Sequence, residues 1–192
     1  LGVILIERTS RKVLFTPDAN WNGTAVFYYT VSDQESQNPT ARAKVTVTVR
    51  PVNDAPTITD ADDTTDDWVM QEDEGNAANR TFQFSVADVE TAAQNLIVTL
   101  TSANASVFPA TAIKLQGTDV KTIELPKPPT NWNGSVNITV SLSDGVNTTQ
   151  KVYRAVVTPV NDAPVLTVKN ITTAEDTAKT EKATSTDVDG GS

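Results

Sequence analysis

The chain repeats itself, and a repeat bounds the fold before any residue is read on its own. Asn20-Trp21-Asn22-Gly23-Thr24 recurs as Asn131-Trp132-Asn133-Gly134-Ser135, and each copy opens an alternating run ending in Ser32-Asp33 or Ser143-Asp144. Pro51-Val52-Asn53-Asp54-Ala55-Pro56 recurs as Pro159-Val160-Asn161-Asp162-Ala163-Pro164. From Trp21 to Trp132 is 111 residues, and from Asn53 to Asn161 is 108, so the first copy carries three more residues in its hairpin. A looser pair, Glu72-Asp73 and Glu175-Asp176, is followed by Asp88-Val89-Glu90 and Asp187-Val188-Asp189. A period near 110 is too long for a solenoid unit and suits an array of small independent domains. Residues 1–52 therefore read as the back half of a first repeat, 53–160 as a complete repeat, and 161–192 as the front of a third.

Within the repeats the apolar residues alternate. Phe27, Tyr29 and Val31 share a face, as do Val45, Val47 and Val49, then Phe82, Phe84 and Val86, and Ile138, Val140 and Leu142. Period two over short runs between turn residues predicts strands, and nowhere is a 3.6-residue period held long enough for a helix. Asp144-Gly145 supplies a hairpin turn between the last two strands of the complete repeat. The expected fold is all-β, in two-sheet antiparallel sandwiches.

Composition narrows the chemistry. With no Cys there is no disulfide, thiolate site or Cys nucleophile, and with no His the commonest general base and transition-metal ligand is missing. Hard cations held by oxygen remain easy to bind. A net charge of −9 argues against nucleic acid, which needs a basic patch. No segment has the roughly 20 apolar residues that membrane insertion requires. Neither a phosphate-binding glycine loop nor a nucleophile elbow is present, and acidic residues at the ends of a narrow sandwich offer no deep pocket, so no enzymatic activity is expected. A strand-like run at the very start, Val3-Ile4-Leu5-Ile6, suggests a piece cut from a longer chain.

Phe15 to Gly23, the strand end Tyr29 to Asp33, and Val-Asn-Asp-Ala-Pro occur in order and twice in part. Together they are similar to the cadherin-like tandem repeats of large secreted, RTX-type bacterial surface adhesins. That resemblance implies tandem immunoglobulin/cadherin-like antiparallel β-sandwiches outside the cell or on its surface, with Ca2+ between repeats stiffening an adhesive or spacing rod. It also implies a ligand set at each junction: an early Glu of one repeat, the Asn-Asp linker, and an Asp-x-Asp pair with a hairpin Asp on the next. Carried over, the first junction would use Asn53, Asp54, Asp88, Glu90 and Asp144. The second would use Glu72, Asn161, Asp162, Asp187 and Asp189. Where animal cadherins place further linker ligands, this chain has Pro51 and Pro159, and Ala55 and Ala163. One or two ions per junction are expected instead of three.

Several carboxylates gathered on adjoining modules repel one another without a cation and become shared ligands with one. Linker prolines stiffen the hinge by fixing φ. The expected partners are neighbouring repeats, identical chains that complete the partial repeats, and a glycan or another cell-surface protein. The competing functions are a glycan- or protein-binding module and an accessory domain of a secreted hydrolase. Trp21 and Trp132, being repeated before a turn, read as plugs over the end of the sandwich; Trp68 is not repeated and is the one to watch for sugar stacking. The acidic stretch Asp60 to Asp67 reads as a solvated loop.

Overall fold

A computed structural model describes residues 1–7, 12–32, 40–60 and 67–189. The chain divides into two compact units, Leu1–Asp54 and Ala55–Ser192. In the first, β1 (Val3–Glu7) pairs antiparallel with β2 (Lys12–Thr16), with Ile4 opposite Phe15. β3 (Gly23–Ser32) pairs antiparallel with β4 (Thr40–Val49), with Phe27 opposite Val45. The valines of β4 are half-buried and the threonines between them exposed, as alternation requires. The Trp21 ring meets Phe15 edge-on at 6.4 Å. Of the apolar side chains of this unit, only Ala25 counts as buried among the described residues.

The second unit holds the core. Its strands are β5 (Thr57–Asp60), β6 (Asp67–Gln71), β7 (Thr81–Ala87), β8 (Ile97–Ser102), β9 (Lys114–Gln116), β10 (Val120–Glu124), β11 (Gly134–Ser143), β12 (Thr148–Thr158), β13 (Val165–Thr167) and β14 (Thr184–Thr186). One sheet runs β5-β7-β10-β9 and the facing one β6-β12-β11-β8; β13 and β14 form a small ladder of their own. Helical structure among the described residues is limited to three short 3-10 turns, Ala77–Arg80, Ala93–Asn95 and Ala110–Ala112.

Inward residues of both sheets interleave. Phe84, Ile123, Ile138, Val140, Leu142, Tyr153 and Val157 are all at most 2 % exposed. Burying each such side chain is worth about 1.5–3 kcal/mol. Phe82 packs against Tyr153, the rings tilted by 51° with centroids 4.5 Å apart, and links the sheets. Trp68 is 8 % exposed and belongs to this core, so it presents no platform for a sugar. Trp132 packs against the same core, its ring edge-on to Phe108 at 6.3 Å, in the plugging position expected of it.

One pairing departs from a purely antiparallel sandwich. β6 joins β12 in parallel, Trp68 opposite Ala155. The chain pairs first with β7, as β5, and then with the other sheet, as β6, so the opening segment of the repeat covers an edge of each sheet. The segment between them, residues 61–66, contains most of the acidic stretch and lies outside the described residues, as do Asp33 and the extra hairpin residues of the first copy.

The repeat persists in backbone detail. Asn20 and Asn131 both have φ of 56°, and Asp73 and Asp176 have 57° and 58°. Asn and Asp tolerate this left-handed region better than other side chains.

Candidate metal centre

Glu72 follows β6 directly and is held there by the backbone: its N–H donates to Thr158 O at 2.9 Å. Its side chain is buried, at 4 % exposure, although it is a carboxylate. Oε1 accepts from the Val160 N–H at 2.6 Å, and Oε2 lies 3.5 Å from the Asn133 amide nitrogen. A buried carboxylate is costly unless it is hydrogen-bonded or ligates a cation. Two neutral donors satisfy only part of its acceptor capacity.

The linker and the Asp-x-Asp turn approach this group. The Asp162 N–H donates to Asp189 Oδ2 at 2.6 Å, and the Asp189 N–H to Asp187 Oδ1 at 2.9 Å. Glu72, Asp162 and Asp189 each place a carboxylate oxygen within 4.8 Å of the others. Three residues from three separate stretches of chain thus form one acidic group, which could hold a metal ion. Asp187 faces it through the backbone of Asp189, and Asn161 turns its amide onto its neighbour's carbonyl, Asp162 O, at 2.8 Å.

Asp162 records the electrostatic cost. Its pKa is raised, first by desolvation and then by the negative charges of Asp189, Asp73, Glu72 and Asp187. All of these disfavour its ionised form. A divalent ion among them would reverse the sign.

Asp73 and Asn131 also belong to the group, and the sequence reading missed both. The Asn131 carboxamide lies 3.2 Å from Asp73 Oδ2 and 3.3 Å from Asp162 Oδ2, donating to both when its nitrogen is turned towards them. Rotated by half a turn, the same carboxamide offers an oxygen to a cation. Asp73 Oδ1 is buried and no hydrogen bond reaches it; Lys127 Nζ stands 3.9 Å away, at ion-pair distance. An all-oxygen set of carboxylates, from buried Glu72 through half-buried Asp162 to exposed Asp189, with a carboxamide and the Asp73 oxygen, fits a hard cation such as Ca2+, which takes six to eight oxygens at flexible geometry. The available signal was the repetition of Asn131 and Asp73, as Asn20 and Asp176. It was hidden because a turn explains both residues without any ligand.

The other expected ligands stand as follows. Asn53 and Asp54 close the first unit, where the Asn53 amide donates to Asp54 O at 2.7 Å, as at the second Asn-Asp pair. Asp88, Glu90 and Asp144 are in the second unit and form no three-carboxylate group among themselves. Asp88 Oδ1 accepts from the N–H groups of Glu90 at 2.9 Å and Thr91 at 2.7 Å, while its Oδ2 is buried without a hydrogen bond. Asp144 Oδ1 accepts from Val146 and Asn147, both at 2.6 Å, and so caps the hairpin turn.

A family model described as a cadherin-like domain matches residues 4–50. No curated protein matches the chain significantly. Among solved structures it is similar to the protocadherin gammaB7 EC3-6 cis-dimer structure, at 16% identity and a TM-score of 0.56, over 98% of this chain and 46% of that one. It is similar also to protocadherin gamma B2 extracellular cadherin domains 3-6, at 11% identity and a TM-score of 0.54, over 85% and 38% of the two chains. A weaker likeness joins it to domains 4 and 5 of the S-layer protein SbsC, at 16% identity, a TM-score of 0.43, and 81% and 66% coverage. The fold is therefore an all-β, cadherin-like sandwich, and the chain spans less than half the length of either protocadherin structure. Among the described residues no helix is long and apolar enough to cross a membrane.

Proposed function

We propose that the chain is a segment of a tandem-repeat rod outside the cell, stiffened by Ca2+ where one repeat meets the next, and that it acts as an extender in an adhesive surface protein rather than as a catalyst. The observation that carries this is the meeting of Glu72, Asp162 and Asp189 from the complete repeat, the hinge and the following segment. A cation shared by all three makes the hinge angle a consequence of coordination. Without it, the same carboxylates repel and the hinge opens. Asp73 and Asn131 complete the oxygen set, and Asn161 and Asp187 hold its backbone. In the sequence, Asn53 and Asp54 correspond to Asn161 and Asp162, and Asp88 and Glu90 to Asp187 and Asp189.

Extracellular modules bind calcium with Kd of about 10⁻⁴–10⁻³ M. Calcium at about 1 mM should then stabilise the second unit by about 0.4–1.4 kcal/mol, a shift of about 1–5 °C in its thermal midpoint. Titration calorimetry and melting of the chain with calcium or a chelator test this. Heat of binding, with a midpoint that rises in wild type but not in a Glu72→Gln, Asp189→Asn double variant, is the expected result. A midpoint indifferent to both calcium and chelator would leave only the sandwich.

A further inference from the structure

The acidic group around Glu72, Asp162 and Asp189 has a positively charged neighbour. Lys127 Nζ stands 3.9 Å from Asp73 Oδ1, the buried oxygen that no hydrogen bond reaches. The Asn131 carboxamide lies between Asp73 and Asp162, so the lysine faces the same set of oxygens from the outside. The other ion pairs described in the second unit use different carboxylates: Arg80 and Lys114 face Glu124, Lys151 faces Asp60, and Arg154 faces Asp67.

Two features set Lys127 apart from a solvated surface lysine. It lies between Pro126 and Pro128 on the stretch from β10 to the Asn131–Gly134 turn, and Pro128 is buried. Prolines on both sides fix φ, so a stiff segment presents the ammonium to Asp73. The turn itself does not call for a lysine, because Thr16 stands at the same distance before the other Asn-Trp-Asn-Gly sequence.

We propose that Lys127 is the built-in counter-ion of this acidic group: it partly neutralises the carboxylates in the metal-free chain and holds their calcium affinity down, so that the hinge stiffens only where calcium is abundant. This role rests on calcium binding at Glu72, Asp162 and Asp189. An ammonium at this distance favours ionised Asp73 and offsets the repulsion among its neighbours. A divalent ion entering the group meets the same ammonium as a like charge. With 51 % of its side chain exposed, Lys127 can swing into water, and the binding affinity then carries the loss of its contact with Asp73. Ligand charge sets calcium affinity in such sites, and a fixed positive neighbour subtracts from it.

Calcium titration calorimetry, with melting in chelator, tests it on the full chain and its Lys127→Arg, Lys127→Met and Lys127→Glu variants. The side chain is exposed, so each variant should fold. Lys127→Met should bind calcium about three- to tenfold more tightly than wild type, Lys127→Glu more tightly again, and Lys127→Arg within about twofold of wild type. In chelator the thermal midpoint should fall in the opposite order, from wild type and Lys127→Arg through Lys127→Met to Lys127→Glu, as less of the repulsion is cancelled. Added salt should narrow both gaps. A lysine that only packs would not grade with charge. Equal calcium affinity in all four proteins would overturn the role of Lys127 and leave calcium binding standing, and so would chelated midpoints that ignore the charge at this position. Calcium binding by none of the four would overturn both.

Discussion

At the scale of single residues, the polar groups that matter are those tying β5 and β6 to β12 within the second unit. Asp60 closes β5 and receives both Lys151 and the Tyr153 hydroxyl from β12, the latter at 2.5 Å. The Tyr153 ring is fully buried, so its hydroxyl has no access to water. Tyr153→Phe should therefore lower stability by about 1–2 kcal/mol, the cost of stranding one acceptor, with packing retained. Chemical denaturation of the two proteins side by side reads this directly; equal midpoints would show that the hydroxyl contributes nothing. Asp67 and Arg154 form a second link, between β6 and β12. Hydrogen bonding to Arg154 chiefly holds the Asp67 carboxyl below its usual 3.8. A carboxylate depressed in the folded state stabilises above its unfolded pKa and loses that contribution as pH falls through the folded one. Wild type should accordingly melt above Arg154→Gln at neutral pH, with the gap closing below pH 3.8. Much of the acidic group was legible at this scale, because Glu72, Asp162 and Asp189 carry charge at repeat-related positions. Asp73 and Asn131 were not, since contacts between residues tens of positions apart leave no mark in local spacing.

At the scale of elements, the Asn-Trp-Asn-Gly turn couples the core to the acidic group. Gly134 has φ of 140°, and a Cβ added there would lie 3.2 Å from the Trp132 ring. Only glycine adopts this backbone without strain, and only glycine leaves the ring room to close the sandwich end. Gly134→Ala should cost about 1–3 kcal/mol. Because Asn131 and Asn133 sit on the same turn, it should also weaken calcium binding, which no other core glycine substitution would explain. Unaltered calcium affinity in a destabilised Gly134→Ala would separate the turn from the site. The strands themselves were readable: β3, β4, β7 and β11 follow the alternation of Phe, Tyr, Val and Ile residues. The parallel placement of β6 on β12 was not. Trp68-Val69-Met70 reads as a short strand of either sense, and its direction is set by where the preceding segment leaves the other sheet.

At the scale of the whole molecule, similar sequence patterns sit in unequal environments. The core cluster lies entirely between Trp68 and Met70 at one end and Tyr153 to Val157 at the other, within the second unit. β3–β4 and β11–β12 have matching registers, ten paired residues each. The hydrogen bonds within each hairpin are alike, so a difference in stability between them measures the flanking strands β6 and β8 and the facing sheet together. Amide exchange follows local opening, and each 1.4 kcal/mol of opening free energy changes protection tenfold. In dilute solution Val140 and Leu142 amides should exchange only through opening of the whole unit, while those of Tyr29 and Val31 should exchange at least a hundredfold faster. Equal protection of the two hairpins in dilute wild type would mean that β3 and β4 are as stable as β11 and β12 with no further strand paired to them among the described residues. In that case the pairing of strands, rather than the burial of their inward face, would be what holds a repeat of this kind together.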